Sequence, residues 1–380
     1  MPNHSIGMAL YHNELEKLWV YRARVLIIAF VLILLGGMYV VYNNHQSAQV
    51  MQQQVIHMMH AQIIKLRQQI RHSSGHTKTM LQHQLQMQEQ GLQHMVLQKQ
   101  NLNVTSQIKT LKTSLKHTPS ASQGSSQEEL TKYQFMASHG ILSYNPGAES
   151  GFRLVGQVFS NPALFVFALL AIGLSADRIS SEIEGGTFGN LLLHAPYRMK
   201  IYLAKLFASL TLIWGFMAAC AVGFFAIGSA FFGIGFAEMP HVVGIRVNIL
   251  GSPPQVQVPM QTFHLLSQWS YDLLAVFLSM IAISALVAIA LTISLLIRST
   301  LLTLIVGAML VLSGGLSHIF GSLAIWDPVS QLTLMADWTR KATIQFSIHG
   351  FSLQSGLVVV LTWAAVAIIM GLWYVEHLDV

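Results

Sequence analysis

The chain of 380 residues has a single cysteine, Cys220, and it lies inside an apolar run, so neither a disulfide nor a cysteine-based metal site is available. Charge is scarce: 9% of residues are charged against 53% hydrophobic, a balance too apolar for an ordinary soluble enzyme. No G-x-x-x-x-G-K-[ST] phosphate loop occurs, so the usual cradle for nucleotide phosphates is missing. Carboxylates nearly vanish from residues 44–160, which hold Glu89, Glu128, Glu129 and Glu149 against twenty-one Gln and nine His. A surface built from Gln keeps its hydrogen bonding when carboxylates protonate, which suits a segment facing an acidic medium. The net charge of +6 does not point to nucleic acid, because ten of the twenty-one Lys and Arg are spread through this Gln-rich stretch without interleaved aromatics.

What the chain has in abundance is long apolar runs, and these predict an all-α integral membrane protein with six spans. Residues 1–24 are short, polar and mixed in charge, and Leu15, Leu18 and Trp19 share one helical face, so a cytoplasmic interfacial helix is expected there. The first span covers 25–43, and the second covers 161–176. Residues 206–380 hold spans three to six, within 206–237 and over 273–297, 301–325 and 351–374. The first run reads as a span and not as a cleavable signal, because no A-x-A-like site follows it. Short segments assigned to the inside carry eight Lys or Arg, at 17, 22, 24, 178, 198, 200, 205 and 298; short outside loops carry three, at 246, 340 and 341. That bias places both termini in the cytoplasm and residues 44–160 outside it, in a multi-pass protein of the plasma membrane.

The segment 44–160 begins with Val55, Met59, Ile63, Leu66 and Ile70 at spacings of four and three, a coiled-coil seam. Ser73-Ser74-Gly75-His76 breaks it, and a second helical pattern runs from Lys78 to Lys116, so the expected form is a large extracytoplasmic helical hairpin between spans one and two. Residues 118–127 read as a flexible linker, and helices are expected over 128–138 and 152–159. Alternating Val-rich stretches on either side of Pro253-Pro254 predict a small β-hairpin.

The stretch 177–205 is charged, glycine-punctuated and wedged between two uncharged runs, so it must sit at a bilayer face. Glu182-Ile183-Glu184-Gly185-Gly186-Thr187, then Leu191-Leu192, Arg198, Ile201, Leu203 and Lys205 resemble the cytoplasmic connector of ABC-2 type transporter permeases. Pro196 falls one position late for that pattern and Tyr197 stands where Ser is usual; the N-terminal Glu14-Leu15-Glu16-Lys17-Leu18 also resembles the family's start. The resemblance implies a coupling element docking into a separate ATP-hydrolysing subunit through Glu182, Glu184, Gly186, Thr187, Arg198 and Lys205. It further implies two copies of that ATPase, which would bind ATP and Mg, a second permease copy, surrounding membrane lipid, no nucleic acid, no cofactor in this chain and no enzymatic activity of its own. The expected cargo is apolar or amphipathic, such as a lipid, drug or hydrophobic peptide. The alternative is an ABC-type mechanotransmission protein, or a membrane-anchored sensor or adhesin with an external coiled coil and no transport. Thr187 is expected to cap the helix that follows the Gly185-Gly186 turn.

Other constellations favour plainer readings. Leu312-Ser313-Gly314-Gly315-Leu316 imitates an ABC signature loop but lies in a span, where small residues serve packing or a helix break. His57 with His60 and His72 with His76 have helical spacing, yet no carboxylate or Cys completes a metal set, and His318 is the intramembrane ionisable candidate.

Overall fold

The computed structural model describes residues 3–71, 81, 84–85, 89, 102–115, 123–144, 149–160, 163–194, 197–244, 248–250, 255–257, 263–315, 321–339 and 351–378. The turn at 73–76, most of the stretch 78–101, the side chain of His57, and His72, His76 and His318 lie outside them. Its longest element, α1 (Asn3–Arg71), is one helix of 69 residues, about 100 Å at 1.5 Å per residue. Where the sequence pattern predicts an interfacial helix over 1–24, a span over 25–43 and a separate coil from 44, one helix runs through all three. The pattern changes polarity at those boundaries, but no proline lies between Asn3 and Arg71 to break the hydrogen-bond ladder. Leu18 is buried and Leu15 packs beside it, and Trp19 is exposed.

Beyond α1, Arg67 Nη2 donates to Glu89 Oε1 at 2.7 Å, which brings position 89 back beside the helix. The second helical stretch is interrupted by β1 (Leu102–Asn103) before α2 (Val104–Leu115). Helix α3 (Gln123–Ser138) takes up the second half of the expected linker, and β1 pairs antiparallel with β2 (Ser143–Tyr144). Val104, Met136 and Ile141 form a small core of their own there, with Met239 packed against it.

The membrane-type bundle follows. Its helices are α4 (Gly151–Phe159), α5 (Leu164–Ser175), α6 (Asp177–Glu184), α7 (Thr187–His194), α8 (Arg198–Phe232), α9 (Gln268–Ile297), α10 (Thr300–Gly315), α11 (Leu334–Trp338) and α12 (Leu353–Glu376). Five stretches among the described residues are long and apolar enough to cross a membrane: Arg22–Val40 of α1, Leu164–Glu184, α8, α9 and α12. The expected span 301–325 appears as the shorter α10 of 16 residues, followed after 316–320 by a 3-10 turn over Gly321–Trp326. Gly314 explains the signature-like run: a Cβ there would strike Val329 and Phe165, so the residue serves close packing at the end of α10.

Helix α9 is the centre. In its apolar window 61% is buried, against 11% for α1, and Ala285 through Leu291 are buried without interruption. A helix apolar all round can be surrounded by protein or by lipid, and α9 is surrounded largely by protein. Tyr202 of α8 reaches it, its hydroxyl 2.9 Å from Thr292 Oγ1, and a Cβ at Gly371 of α12 would lie 2.5 Å from the Tyr202 ring.

The bundle has two distinct ends. At one, Arg22 meets Leu174 O at 2.9 Å, Glu184 meets Thr300, and Arg298 Nη2 donates to the Tyr374 hydroxyl at 2.8 Å. At the other, Gly151 N donates to Gly233 O, Trp269 N to Ala237 O, and Trp363 Nε1 to Trp326 O. This second end also carries a β-ribbon. In it β3 (Pro240–Val243) pairs with β6 (His264–Ser267); in a separate two-stranded sheet β4 (Asn248–Leu250) pairs with β5 (Gln255–Gln257), which fits the expected hairpin. The connector around Gly186 sits at the first end; the α2–α3 core and the distal part of α1 lie beyond the second. A thiol reagent that cannot cross membranes should therefore label Lys65→Cys or Asn190→Cys in sealed vesicles, never both from one side. The single native cysteine, Cys220, is fully buried and stays silent.

Candidate functional site

The connector is built from helices almost throughout. Ala176 keeps helical dihedrals between α5 and α6 and donates to Ile172 O at 2.7 Å, so the chain enters the connector without leaving the helix. At this junction Ser294 Oγ of α9 accepts from Ser180 N at 2.9 Å and from Ile179 N at 3.3 Å. Gly185 ends α6 with ordinary dihedrals, and Gly186 then turns the chain at φ +66, a left-handed conformation costly for residues with a Cβ. Helix α7 starts at once. Thr187 is its first residue, and the Thr187 hydroxyl donates backward to Glu182 O at 3.2 Å. Residues 184–187 form an exposed tip.

Below that tip Glu14, Arg178 and Lys205 are buried, with the half-buried Lys17, Arg22, Asp177 and Glu182 around them. Lys205 is completely enclosed, and its ammonium lies 2.7 Å from Glu182 Oε1 and 3.1 Å from Glu14 Oε2. Arg178 Nη2 reaches the same Glu14 oxygen at 2.8 Å, while Lys17 Nζ lies 3.2 Å from Glu14 Oε1 and 3.8 Å from Glu182. Alongside, Arg22 pairs with Asp177 and donates to Leu174 O. The cluster thus knots α1, α6 and α8 together with four cations and three carboxylates. An ammonium taken out of water is tolerable only when such partners surround it. Burial pushes the Glu14 carboxyl up, but Lys205, Arg178 and Lys17 outweigh it and hold the group below its ordinary value of 4.5.

The structure distributes the six expected coupling residues over three places. Glu182 and Lys205 meet each other within the cluster. Glu184 accepts from Thr300 N at 3.0 Å and from the Thr300 hydroxyl at 2.8 Å, so its carboxylate sits on the positive N-terminus of α10, with Gly186 and Thr187 beside it at the tip. Arg198 opens α8 and donates to Leu378 O at 2.6 Å and Glu376 O at 3.5 Å, engaging the last carbonyls of the α12 end. Sequence reasoning missed Glu14 and Arg178 as members of the site. The available signal was Glu14 standing four residues before Leu18, on the stripe that packs inward. Among the described residues no group of three His, Cys, Asp or Glu has metal-site geometry.

Helical throughout its core, with five stretches fit to cross a bilayer, the chain is a multi-pass membrane protein. It belongs to the family described as Protein of unknown function (DUF2705), which matches residues 123–380, from α3 to the C-terminus. Arg178, Glu182 and Lys205 fall within that match, and Glu14 lies before it. No curated protein matches the chain.

Because Glu14 serves three cations, Glu14→Gln should cost about 3–5 kcal/mol, read as a lower unfolding midpoint in detergent. The exposed Glu16→Gln should stay within about 0.5 kcal/mol. A carboxyl held low in the folded state stabilises above its unfolded value and loses that contribution as pH falls through the folded one. Wild-type stability should therefore drop below about pH 4.5 by a component that Glu14→Gln lacks.

Proposed function

We propose that this chain is the permease subunit of an ATP-driven exporter of the ABC-2 type, with the 177–205 connector as the handle worked by a separate ATPase. The observation that carries the reading is the contrast within the connector. The tip at 184–187 is exposed and turned by Gly186, while its root is tied to α1 and α8 by ion pairs and, through Ser180, to Ser294 of α9 and Thr300 of α10. A load on such a tip is passed to four helices at once. The motif from Glu182 to Lys205 supports the same reading.

On this account the protein crosses the plasma membrane six times, with α10 as the fifth crossing. In support, α10 runs beside α5 and α6 from Thr300, next to Glu184, to Gly314, next to Phe165. Both termini and the connector face the cytoplasm, and residues 44–160 face outward as a helical hairpin. Two permease copies and two ATPase copies make the working unit. Nucleotide binding shifts the packing of the two permease halves and opens a path for an apolar or amphipathic cargo. The ATPase copies hold the ATP and Mg. One observation favours the mechanotransmission alternative: α1 continues without a break from Glu14 of the ion cluster to Arg67, so a displacement of the connector would be carried to the far end whether or not a path opens.

Asn190 is exposed on α7 beside the tip, and Cys220 is buried, so Asn190→Cys offers a single reactive thiol. Treated with a short thiol crosslinker in inverted vesicles, it should form an adduct with an ATP-hydrolysing protein, and the adduct yield should change when ATP is added. Labelling from the outer face, or no adduct with any nucleotide-binding protein, would contradict the reading.

A further inference from the structure

A groove of about 670 Å³ runs between α1 and α8. Its floor is apolar: Leu26, Leu212 and Phe216 are buried there, and the space exists because Ala23, Gly215 and Ala219 are small. A Cβ placed on Gly215 would meet nothing within 4 Å, so this residue faces open volume and not a neighbouring helix. The wall on the α8 side, Thr211 to Ala219, rises about 12 Å, close to the roughly 15 Å of hydrocarbon in one leaflet. One end differs from the rest. His12 and Glu16, one helical turn apart on α1, stand at the mouth, and there the Tyr11 hydroxyl lies 2.9 Å from Thr211 Oγ1.

The charge at that mouth is distinctive. Glu14, two residues before Glu16, is fully engaged by Lys205, Arg178 and Lys17. Glu16 points to the other side of α1, is exposed, and has no ion pair among the described residues. A carboxylate without a counter-ion at the head of a leaflet-deep apolar slot complements a cationic head on an apolar tail.

We propose that the α1–α8 groove binds one glycerophospholipid whose headgroup carries a primary ammonium, of the phosphatidylethanolamine type. One acyl chain fills the slot past Ala23, Gly215 and Ala219, the ammonium meets Glu16, and His12 donates to the phosphate. The pairing at Glu16 sets headgroup preference, because an anionic headgroup would bring its phosphate against the carboxylate without a compensating cation. The inference does not depend on the exporter reading, since it uses only α1, α8 and their position in a bilayer.

The test uses the full chain in detergent, offered equal amounts of phosphatidylethanolamine, phosphatidylcholine and phosphatidylglycerol, with retained lipid counted by native mass spectrometry. The wild type should retain phosphatidylethanolamine with about tenfold preference, as expected for one charge-assisted contact. Glu16→Ala should still retain lipid but lose the preference. Gly215→Leu, which fills open space and suits a helix, should abolish retention at an unchanged unfolding midpoint. Equal retention of the three lipids by the wild type, preference for phosphatidylglycerol, no retained lipid, or undiminished retention by Gly215→Leu would each overturn the proposal. So would crosslinking of two chains through Ile27→Cys at the groove rim, which would put a second copy where the lipid is assigned.

Discussion

An ammonium with no exposure to solvent cannot sit at the edge of a bilayer bundle without carboxylates around it, and Lys205 is such a group. It takes one oxygen from Glu182 and one from Glu14, and Glu14 in turn holds Arg178. The two carboxylates that hold Lys205 come from different helices, Glu14 from α1 and Glu182 from α6. The electrostatic requirement of one side chain therefore fixes where the start of α1, the α6 arm and the first turns of α8 stand relative to one another. Apolar packing alone would leave those helix ends free to slide, because lipid and leucine are equally good neighbours for an apolar helix.

The remaining contacts at that end extend the same knot. Ser294 accepts from the first turn of α6, Glu184 caps α10, and Arg198 holds the carbonyls that end α12. Five other helices, α1, α8, α9, α10 and α12, thus meet at the end that holds α6, while the tip stays exposed around Gly186. The opposite end has no comparable ion cluster among the described residues. It is closed by the β-ribbon, the 3-10 turn at Gly321–Trp326 and backbone hydrogen bonds such as Gly151 N to Gly233 O. One end is built to be gripped and the other to be covered, an asymmetry that fits the proposed handle.

The sequence made the apolar helices legible because composition alone identifies stretches that only lipid or protein can surround. The C-terminal end of α9 shows this well, since the helix closes at Ile297 and Arg298 follows in a left-handed conformation at φ 56, whereas its start lies at Gln268, before the expected 273. Continuity was harder to read. Polarity changes at Val25 and Asn44 look like element boundaries, yet no proline stands there to break the helix, and α1 ignores them. The charged residues of the connector were also visible, but not what they do. Glu182 and Lys205 are 23 positions apart, and only the folding of α6 against α8 turns them into a pair. Glu14 is 191 positions from Lys205, a separation no local pattern spans. The charges that looked poised for an outside partner are largely consumed within the chain, leaving the exposed tip to carry any docking.

The central claim is that Glu14 and Lys205 are one interaction and not two separate residues. A double-mutant cycle with Glu14→Gln and Lys205→Met, followed by unfolding midpoints in detergent, measures it directly. A true buried pair predicts a coupling energy of about 2–3 kcal/mol, with the double variant more stable than the sum of the single losses implies. Additive losses, with coupling near zero, would mean that the two groups do not share the site and that the connector is not tied to α1 in this way.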